Sequence, residues 1–519
     1  MKMDAVLFCG VVIVLFFSRE STALSRNDFP PGFAFGVGSS AFQYEGAMAE
    51  DGRKPSIIDT FTHKPGTVLN GSNADVAVDQ YHRYKEDVDL IHQTGMDVYR
   101  FSISWSRLLP DGRRPINPKG LEYYNKLINE LISHGIEPYI TLYHFDLPQS
   151  LDDEYGGWLS PKIIDDFTGF ANVCFAEFGD RVKNWMTFNE PNFFALFGYS
   201  SDIFPPQRCT SSEFVGNCSG GNSTTEPYIV GHNVLLAHAA AVDLYRKTYQ
   251  PEQGGSIGLT IVSLWFVPLT DEPKDLIATQ RTRDFQIGWF LDPIIYGDYP
   301  SSMRNRVGSR LPSFTKQQSQ KLKGSFDLIG LNHYSTYYAY DPPAPVSKDN
   351  ISMAGYGIDQ NSYLTVIRDG VPISNKTAFY GMPIVPWGIQ GLLEYMKTHY
   401  NNPPVSILEN GYAHPKNSSL SLEEKLVDDE RINYHKEYLK YIHAAVINGS
   451  DCRGYIMWTL LDDFEIGTGY AWETGLFYVD FDDNLKRYPR TSASWFREFL
   501  RRDTVEHLES VGNSKSKDT

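Results

Sequence analysis

The feature that most constrains this chain is its rhythm: short apolar runs alternate with helical patterns, eight times, without a break. The candidate strands are 33–41, 96–104, 136–145, 184–190, 256–267, 327–334, 405–410 and 454–461. Helical spacing of apolar residues is clearest at 76–94, 118–134, 160–179, 227–249, 386–399 and 430–447. Pro118 and Pro161 stand near helix starts, and Gly95, Gly135 and Gly179 near helix ends. No Pro/Ser/Gly linker or block of charge divides the chain, so 24–500 reads as one unit. Residues 340–380 read as a long loop-like insertion and 501–519 as a polar tail. Eight strands with intervening helices in one undivided chain predict an α/β fold, a single (β/α)8 TIM barrel with long active-site loops; a doubly wound sheet is the rival.

A barrel places its chemistry where strands end and loops begin, and the strand ends here are polar. Gln43 and Glu45 follow the first run. His144 and Asp146 end the third, and Asn189 and Glu190 the fourth. Asn332, His333 and Tyr334 end the sixth, and Glu409 and Asn410 the seventh. Trp458, Asp462, Asp463 and Glu465 lie on or beyond the eighth.

Two of these, Glu190 and Glu409, are carboxylates that each cap an apolar strand. Facing one another across a barrel mouth, such a pair suits cleavage of a glycosidic bond, whose transition state is cationic at the anomeric carbon. One carboxylate attacks that carbon, and the other, kept protonated by its neighbour's charge, protonates the leaving oxygen. Taken singly, each glutamate also fits a salt-bridged loop residue.

The surrounding motifs carry a resemblance. Thr187-Phe188-Asn189-Glu190-Pro191 resembles the acid/base motif of glycoside hydrolase family 1, the plant β-glucosidases above all, and Ile407-Leu408-Glu409-Asn410-Gly411 is similar to its nucleophile motif. Phe33 to Gly46, Tyr99 to Pro110, Tyr143 to Gln149, Asn332-His333-Tyr334 and Trp458 to Tyr470 also match, so the likeness runs from about Phe29 to Leu500. It implies a retaining β-glucosidase acting on small-molecule β-glycosides without a cofactor or metal. Glu190 would be the acid/base and Glu409 the nucleophile. Gln43, His144, Asn189 and Glu465 would bind sugar hydroxyls, and Trp458 would stack on the sugar. Tyr334 would hydrogen-bond the nucleophile, with Arg100 and Asn332 in support.

The pattern departs at four places. Ile466 stands where the family commonly has Trp, Thr474 where Phe is common, Leu408 where Thr is frequent, and Ile384 where an aromatic often lines the aglycone side. A missing indole N–H costs on the order of 1 kcal/mol of sugar binding. Some plant relatives transfer glucose to an alcohol instead of to water, and replacements in this region occur among them, so a transglucosidase is the first alternative. A non-catalytic carbohydrate-binding relative is the second. Myrosinase-like chemistry is disfavoured by Glu190, and a phospho-sugar pocket by Asp463 and Glu465. Gly36-x-Gly38-x-x-Ala41 mimics a dinucleotide fingerprint, but Asp51-Gly52 and Pro55 interrupt the helix it needs.

The first residues predict a signal peptide: Lys2, an apolar run of 13 residues from Ala5 to Phe17, and a cut after Ala23. The run is too short to span a bilayer, so no membrane association is expected once it is removed. Sequons at Asn70, Asn217, Asn222, Asn350, Asn375, Asn417 and Asn448 predict glycosylation, and Cys209 and Cys218, nine residues apart, predict a local disulfide. Cys174 reads as a buried apolar residue and Cys452 as unpaired, and no Cys/His spacing suggests zinc. Together these point to the secretory pathway, with the extracellular space, cell wall or vacuole as destination. A net charge of −16 offers no basic field for nucleic acid.

Overall fold

The computed structural model describes residues 24–210, 218, 220–343 and 355–502. The expected signal peptide, the tail from 503 onward, and the sequon residues Asn217 and Asn350 lie outside the described residues.

Eight parallel strands close into a barrel. They are β1 (Ala34–Gly38), β2 (Val98–Ser102), β3 (Glu137–Tyr143), β4 (Asn184–Asn189), β5 (Ser256–Val262), β6 (Leu328–Asn332), β7 (Val405–Glu409) and β8 (Cys452–Met457). Each strand pairs with its neighbours in sequence, and β1 pairs with β8 through Phe35 opposite Tyr455 and Gly36 opposite Ile456. That closure rules out the doubly wound sheet. The strands are buried on both faces, which is why they read as apolar runs rather than as alternating ones. Val98, Met186, Leu328, Leu408 and Ile456 form a separate buried cluster, contributed by five different strands. Side chains fill such a barrel, so it is a packed core and not a channel. The close approach of β5 to β6 requires glycine at 258, where a Cβ would lie 1.8 Å from the Leu328 carbonyl oxygen.

Several expected boundaries shift. The run 256–267 is two strands: β5 ends at Val262, and Trp265–Pro268 pairs with Thr336–Tyr340 in a three-stranded sheet outside the barrel. The break falls at Ser263, whose N–H and hydroxyl both donate to the Asn332 carbonyl (2.8 and 3.1 Å), so the ladder has no further partner. The insertion 340–380 is not wholly loop. It holds the helix Tyr356–Gln360, the strand Tyr363–Thr365 that completes the outer sheet, and a small hairpin of Ile367–Arg368 with Val371–Pro372. β8 starts two residues earlier than 454 and stops at Met457, because Trp458 N–H turns to the Asn410 carbonyl. The helix expected from 76 begins at Gln80. Helices Pro273–Arg283, Trp289–Tyr296 and Thr491–Phe499 add to those the periodicity picked out.

Cys209 and Cys218 form a disulfide, with Cα atoms 5.5 Å apart, while Cys174 and Cys452 are buried and free. The described sequon residues Asn70, Asn222, Asn375, Asn417 and Asn448 are all exposed. No helix among the described residues is long and apolar enough to cross a membrane.

Candidate active site

The C-terminal ends of the strands open onto a cavity of about 890 Å³, near the upper end for small-molecule sites. Gln43, His144, Asn189, Glu190, Tyr334, Glu409, Trp458 and Glu465 all line it.

Glu190 follows the last residue of β4 and is the N-cap of the helix Pro191–Ser200. Its backbone is left-handed (φ 44°, ψ 53°), a conformation that costs a β-carbon residue roughly 1 kcal/mol or more and persists only where the surroundings impose it. They do so here. Its N–H donates to the Thr260 carbonyl (2.9 Å), and its own carbonyl accepts from Phe193 and Phe194 in the first helical turn. Pro191 at the first helical position enforces the break between strand and helix.

Glu409 ends β7, and its carbonyl accepts from His333 N–H (2.9 Å). The next residue, Asn410, clamps the turn. Its amide donates to the His333 carbonyl and to Tyr434, and its oxygen accepts from Tyr455. The Glu409 carboxylate accepts from Arg100 Nη1 (2.5 Å) and Tyr334 Oη (2.9 Å). Arg100, on β2, is 1 % exposed, so this is a buried charge-assisted pair.

A continuous chain of hydrogen bonds joins the two glutamates. Arg100 Nη2 donates to Asn189 Oδ1 (2.7 Å), and Asn332 Nδ2 donates both to that oxygen (3.0 Å) and to Glu190 Oε1 (2.8 Å). Because Asn189 Oδ1 accepts twice, its Nδ2 is the donor toward His144 Nε2 (3.1 Å). That assigns the His144 proton to Nδ1, which has no protein partner among the described residues. Burial and the Arg100 charge hold the His144 pKa well below the usual value, so the ring is neutral.

Burial, and then the Glu409 charge, push the Glu190 pKa up to about 8, with Asn332 and Arg100 opposing. The raised Glu190 carboxyl and the Arg100-paired Glu409 side chain thus share one cavity. Glu465 is also raised, by burial and by Asp463. Its Oε1 is buried with no protein partner among the described residues. Gln43 Oε1 accepts from Ser40 (2.7 Å), and Nε2 reaches Asp463 (3.4 Å). Trp458 is 6 % exposed, with its ring 5.9 Å from that of His144.

The four departures separate. Ile466 lines the cavity, but Thr474 does not; it stands behind it and donates to Asp463 (2.8 Å). Leu408 belongs to the barrel's inner cluster. Ile384 is not among the lining residues; it packs against the core, and its segment contributes Phe379, Tyr380 and Met382 instead. Sequence reading did not anticipate the apolar outer wall. Its Phe193 and Phe197 follow Glu190 within two helical turns, and that proximity was the available signal. Asp463 as the partner of Gln43 was likewise missed. No cluster of His, Cys, Asp and Glu arranged for a metal occurs among the described residues.

Comparison with known proteins agrees with this geometry. The model of glycosyl hydrolase family 1 matches residues 25–505. A coniferin β-glucosidase of Pinus contorta is 53 % identical over 94 % of this chain and 95 % of its own length. β-Glucosidase 40 of Arabidopsis thaliana is 51 % identical over 92 % and 93 %. A crystal structure of a rice β-glucosidase superposes with a TM-score of 0.90 at 46 % identity, covering 92 % of this chain and all of that one. A closed eightfold barrel with two strand-end glutamates on one cavity, matched over nearly its whole length, makes the chain a glycosidase belonging to glycosyl hydrolase family 1.

Proposed function

We propose that the chain is a retaining β-glucosidase that hydrolyses terminal non-reducing β-D-glucosyl residues from small-molecule glycosides. The observation that carries this reading is geometric: Glu190 and Glu409 stand at the ends of two barrel strands, lie on one cavity and are joined through Arg100, Asn189 and Asn332. The Glu409 carboxylate attacks the anomeric carbon while Glu190 gives its proton to the glycosidic oxygen, and the alcohol leaves. Esterification removes the Glu409 charge that had raised Glu190, so the Glu190 carboxylate now takes a proton from water. Water attacks the same carbon, Glu409 is released, and glucose leaves with its β configuration retained.

Gln43, His144, Asn189 and Glu465 bind the sugar hydroxyls in this reading, and Trp458 stacks on the ring. Tyr334 and Arg100 hold the nucleophile, and Asn332 steadies the acid. The relatives' names support the substrate, and a rice β-glucosidase mutant in a covalent complex with Glc supports a covalent intermediate. The disulfide and the exposed sequon residues support passage through the secretory pathway, with a signal peptide at 1–23 and glycans on the sequons.

The test is a pair of variants assayed on an activated aryl β-glucoside. Glu409→Gln should lose at least about 10⁴-fold in kcat. Glu190→Gln should be slowed mainly at the second step and be partly rescued by azide, giving a β-glucosyl azide. Rescue of the first variant but not the second would exchange the two roles. Silence of the unaltered protein across β-glycosides would leave only a carbohydrate-binding role. With a phenolic acceptor present, free glucose should exceed the glucosylated acceptor; the reverse ratio would make the protein a transglucosidase.

A further inference from the structure

The helix that Glu190 caps is tied to the neighbouring strand by one side chain. Asn192, the second residue of the helix Pro191–Ser200, is buried. Its Nδ2 donates to the Val262 and Gln286 carbonyls (2.8 Å each), and its Oδ1 accepts from Val262 N–H (3.2 Å). Both ends of the amide are thus bonded to backbone.

The place of these bonds gives them meaning. β4 pairs with β5 as far as Asn189 opposite Thr260. β5 runs on to Val262, but β4 has ended, so no β4 backbone faces that last residue. Glu190 N–H takes the Thr260 carbonyl (2.9 Å). Two residues further along each chain, the Asn192 amide takes both the N–H and the carbonyl of Val262. A primary amide offers the donor and acceptor of a peptide group, so Asn192 stands in for the missing strand residue. Its second donated bond reaches a single π-helical turn, Asp284–Gly288, a kind of turn often found at functional sites. That turn is itself held, because Tyr356 Oη donates to the Phe285 carbonyl (2.6 Å).

Glu190 lies between the two anchors. Its left-handed backbone sets the direction of its Cβ, and with it the line along which the carboxyl meets Asn332 Nδ2. A β-carbon residue keeps that conformation only under constraint. Without the Asn192 clamp the first helical turn can relax and the carboxyl swings off its line.

We infer that Asn192 is a positioning residue for the proton donor: its side-chain amide extends the β4–β5 ladder by one rung and so holds Glu190 in the backbone conformation that aims its carboxyl. The inference rests on the β-glucosidase reading, in which Glu190 is the acid/base, and adds to it a residue that acts through Glu190.

The test compares the unaltered protein with Asn192→Ala on two aryl β-glucosides. 2,4-Dinitrophenolate departs without a proton, whereas phenol needs one from Glu190, and kcat/KM reports transfer of glucose to Glu409 for both. The phenyl-to-dinitrophenyl ratio of kcat/KM should fall about tenfold, a fraction of the roughly 10²- to 10⁴-fold that a general acid supplies. On the dinitrophenyl glucoside kcat should also fall, because Glu190 then serves as base toward water. Azide, which needs no base, should restore part of it by displacing the Glu409 carboxylate from the anomeric carbon to give β-glucosyl azide. Rates are expressed per competent site, counted by the burst of dinitrophenolate from 2,4-dinitrophenyl 2-deoxy-2-fluoro-β-glucoside as the Glu409 carboxylate takes the sugar.

A residue that only stabilises the fold would lower the site count, leave the ratio unchanged and give azide nothing to restore; that result overturns the inference. Asn192→Ser, the milder truncation, is read in the same way if Asn192→Ala does not fold. Failure of both to yield competent sites would make Asn192 a residue of the fold alone, which also overturns it. Glu190→Gln separates the two levels. A ratio that falls in Glu190→Gln but not in Asn192→Ala sinks only the inference. An unchanged ratio in Glu190→Gln, or an unaltered protein inert to both glucosides, sinks the β-glucosidase reading and the inference with it.

Discussion

Asn189 uses its whole amide to hold the site together, its oxygen accepting from Arg100 and Asn332 and its nitrogen donating to His144. Residues of this kind act by fixing the protonation and aim of others. Asn332 is the clearest instance, because its donated hydrogen bond favours the ionised form of Glu190. In Asn332→Ala the Glu190 carboxyl should titrate higher. The alkaline limb of kcat/KM, expected near pH 8 because the proposed mechanism needs Glu190 protonated, should move upward, while kcat falls about tenfold as the carboxyl loses its anchor. A pH–rate profile of the variant checks both, and a limb that moves down would refute the assigned role of Asn332. The glutamates were legible in the sequence because strand-end carboxylates stand out against apolar runs. The resemblance, rather than the pattern, singled out Arg100, since a charge in mid-strand gives no hint of its direction. Phe193 and Phe197 gave only the weak signal of lying close after Glu190, because an aromatic run reads as core until the path of its helix is known.

At the scale of elements, the turn after β7 is a tight joint. A Cβ on Gly411 would lie 1.8 Å from the Trp458 carbonyl oxygen, a backbone atom that has no rotamer to escape into. Gly411→Ala should destabilise the fold by about 1–3 kcal/mol. The backbone that must move carries Glu409 on one side and Trp458 on the other, so kcat/KM should fall by a larger factor than stability alone explains. Thermal unfolding beside kinetics would decide this, and unaltered kcat/KM would show that the joint yields without disturbing the site. The eight barrel strands were legible from their apolar runs, to within a few residues at each end. The outer sheet of Trp265–Pro268, Thr336–Tyr340 and Tyr363–Thr365 was not, because its strands continue apolar runs or hide in an insertion rich in proline. Strand ends are set by which carbonyl has a partner left, and sequence does not print that.

Over the whole molecule, buried ionisable groups pull stability in opposite directions with pH. Burial lowers the pKa values of His232, His238 and His333 to about 4 and of His435 to about 3, so these contributions are lost as pH falls from 6.5 through 4. Burial raises Asp146 and Asp292 to about 7, Asp152 to about 6 and Glu190 to about 8, and these contributions are lost as pH rises from near 4 through those values. Between about pH 4.5 and 6.5 the two sets offset each other; above 6.5 only the acids still titrate. The melting temperature should therefore be nearly level across that acid window and decline between pH 6.5 and 8. Scanning calorimetry over this range checks it, and a melting temperature that climbs from pH 6.5 to 8 would contradict the balance drawn here.

The helix Pro191–Ser200 joins these scales. Its cap is Glu190, the proposed proton donor, and its next two turns supply the apolar wall through Phe193 and Phe197. The wall and the cap belong to one short helix, so a displacement of the one carries the other with it. Substitutions that shift this helix to suit new substrates would move the proposed proton donor along with the wall, so taste and turnover hang on one lever.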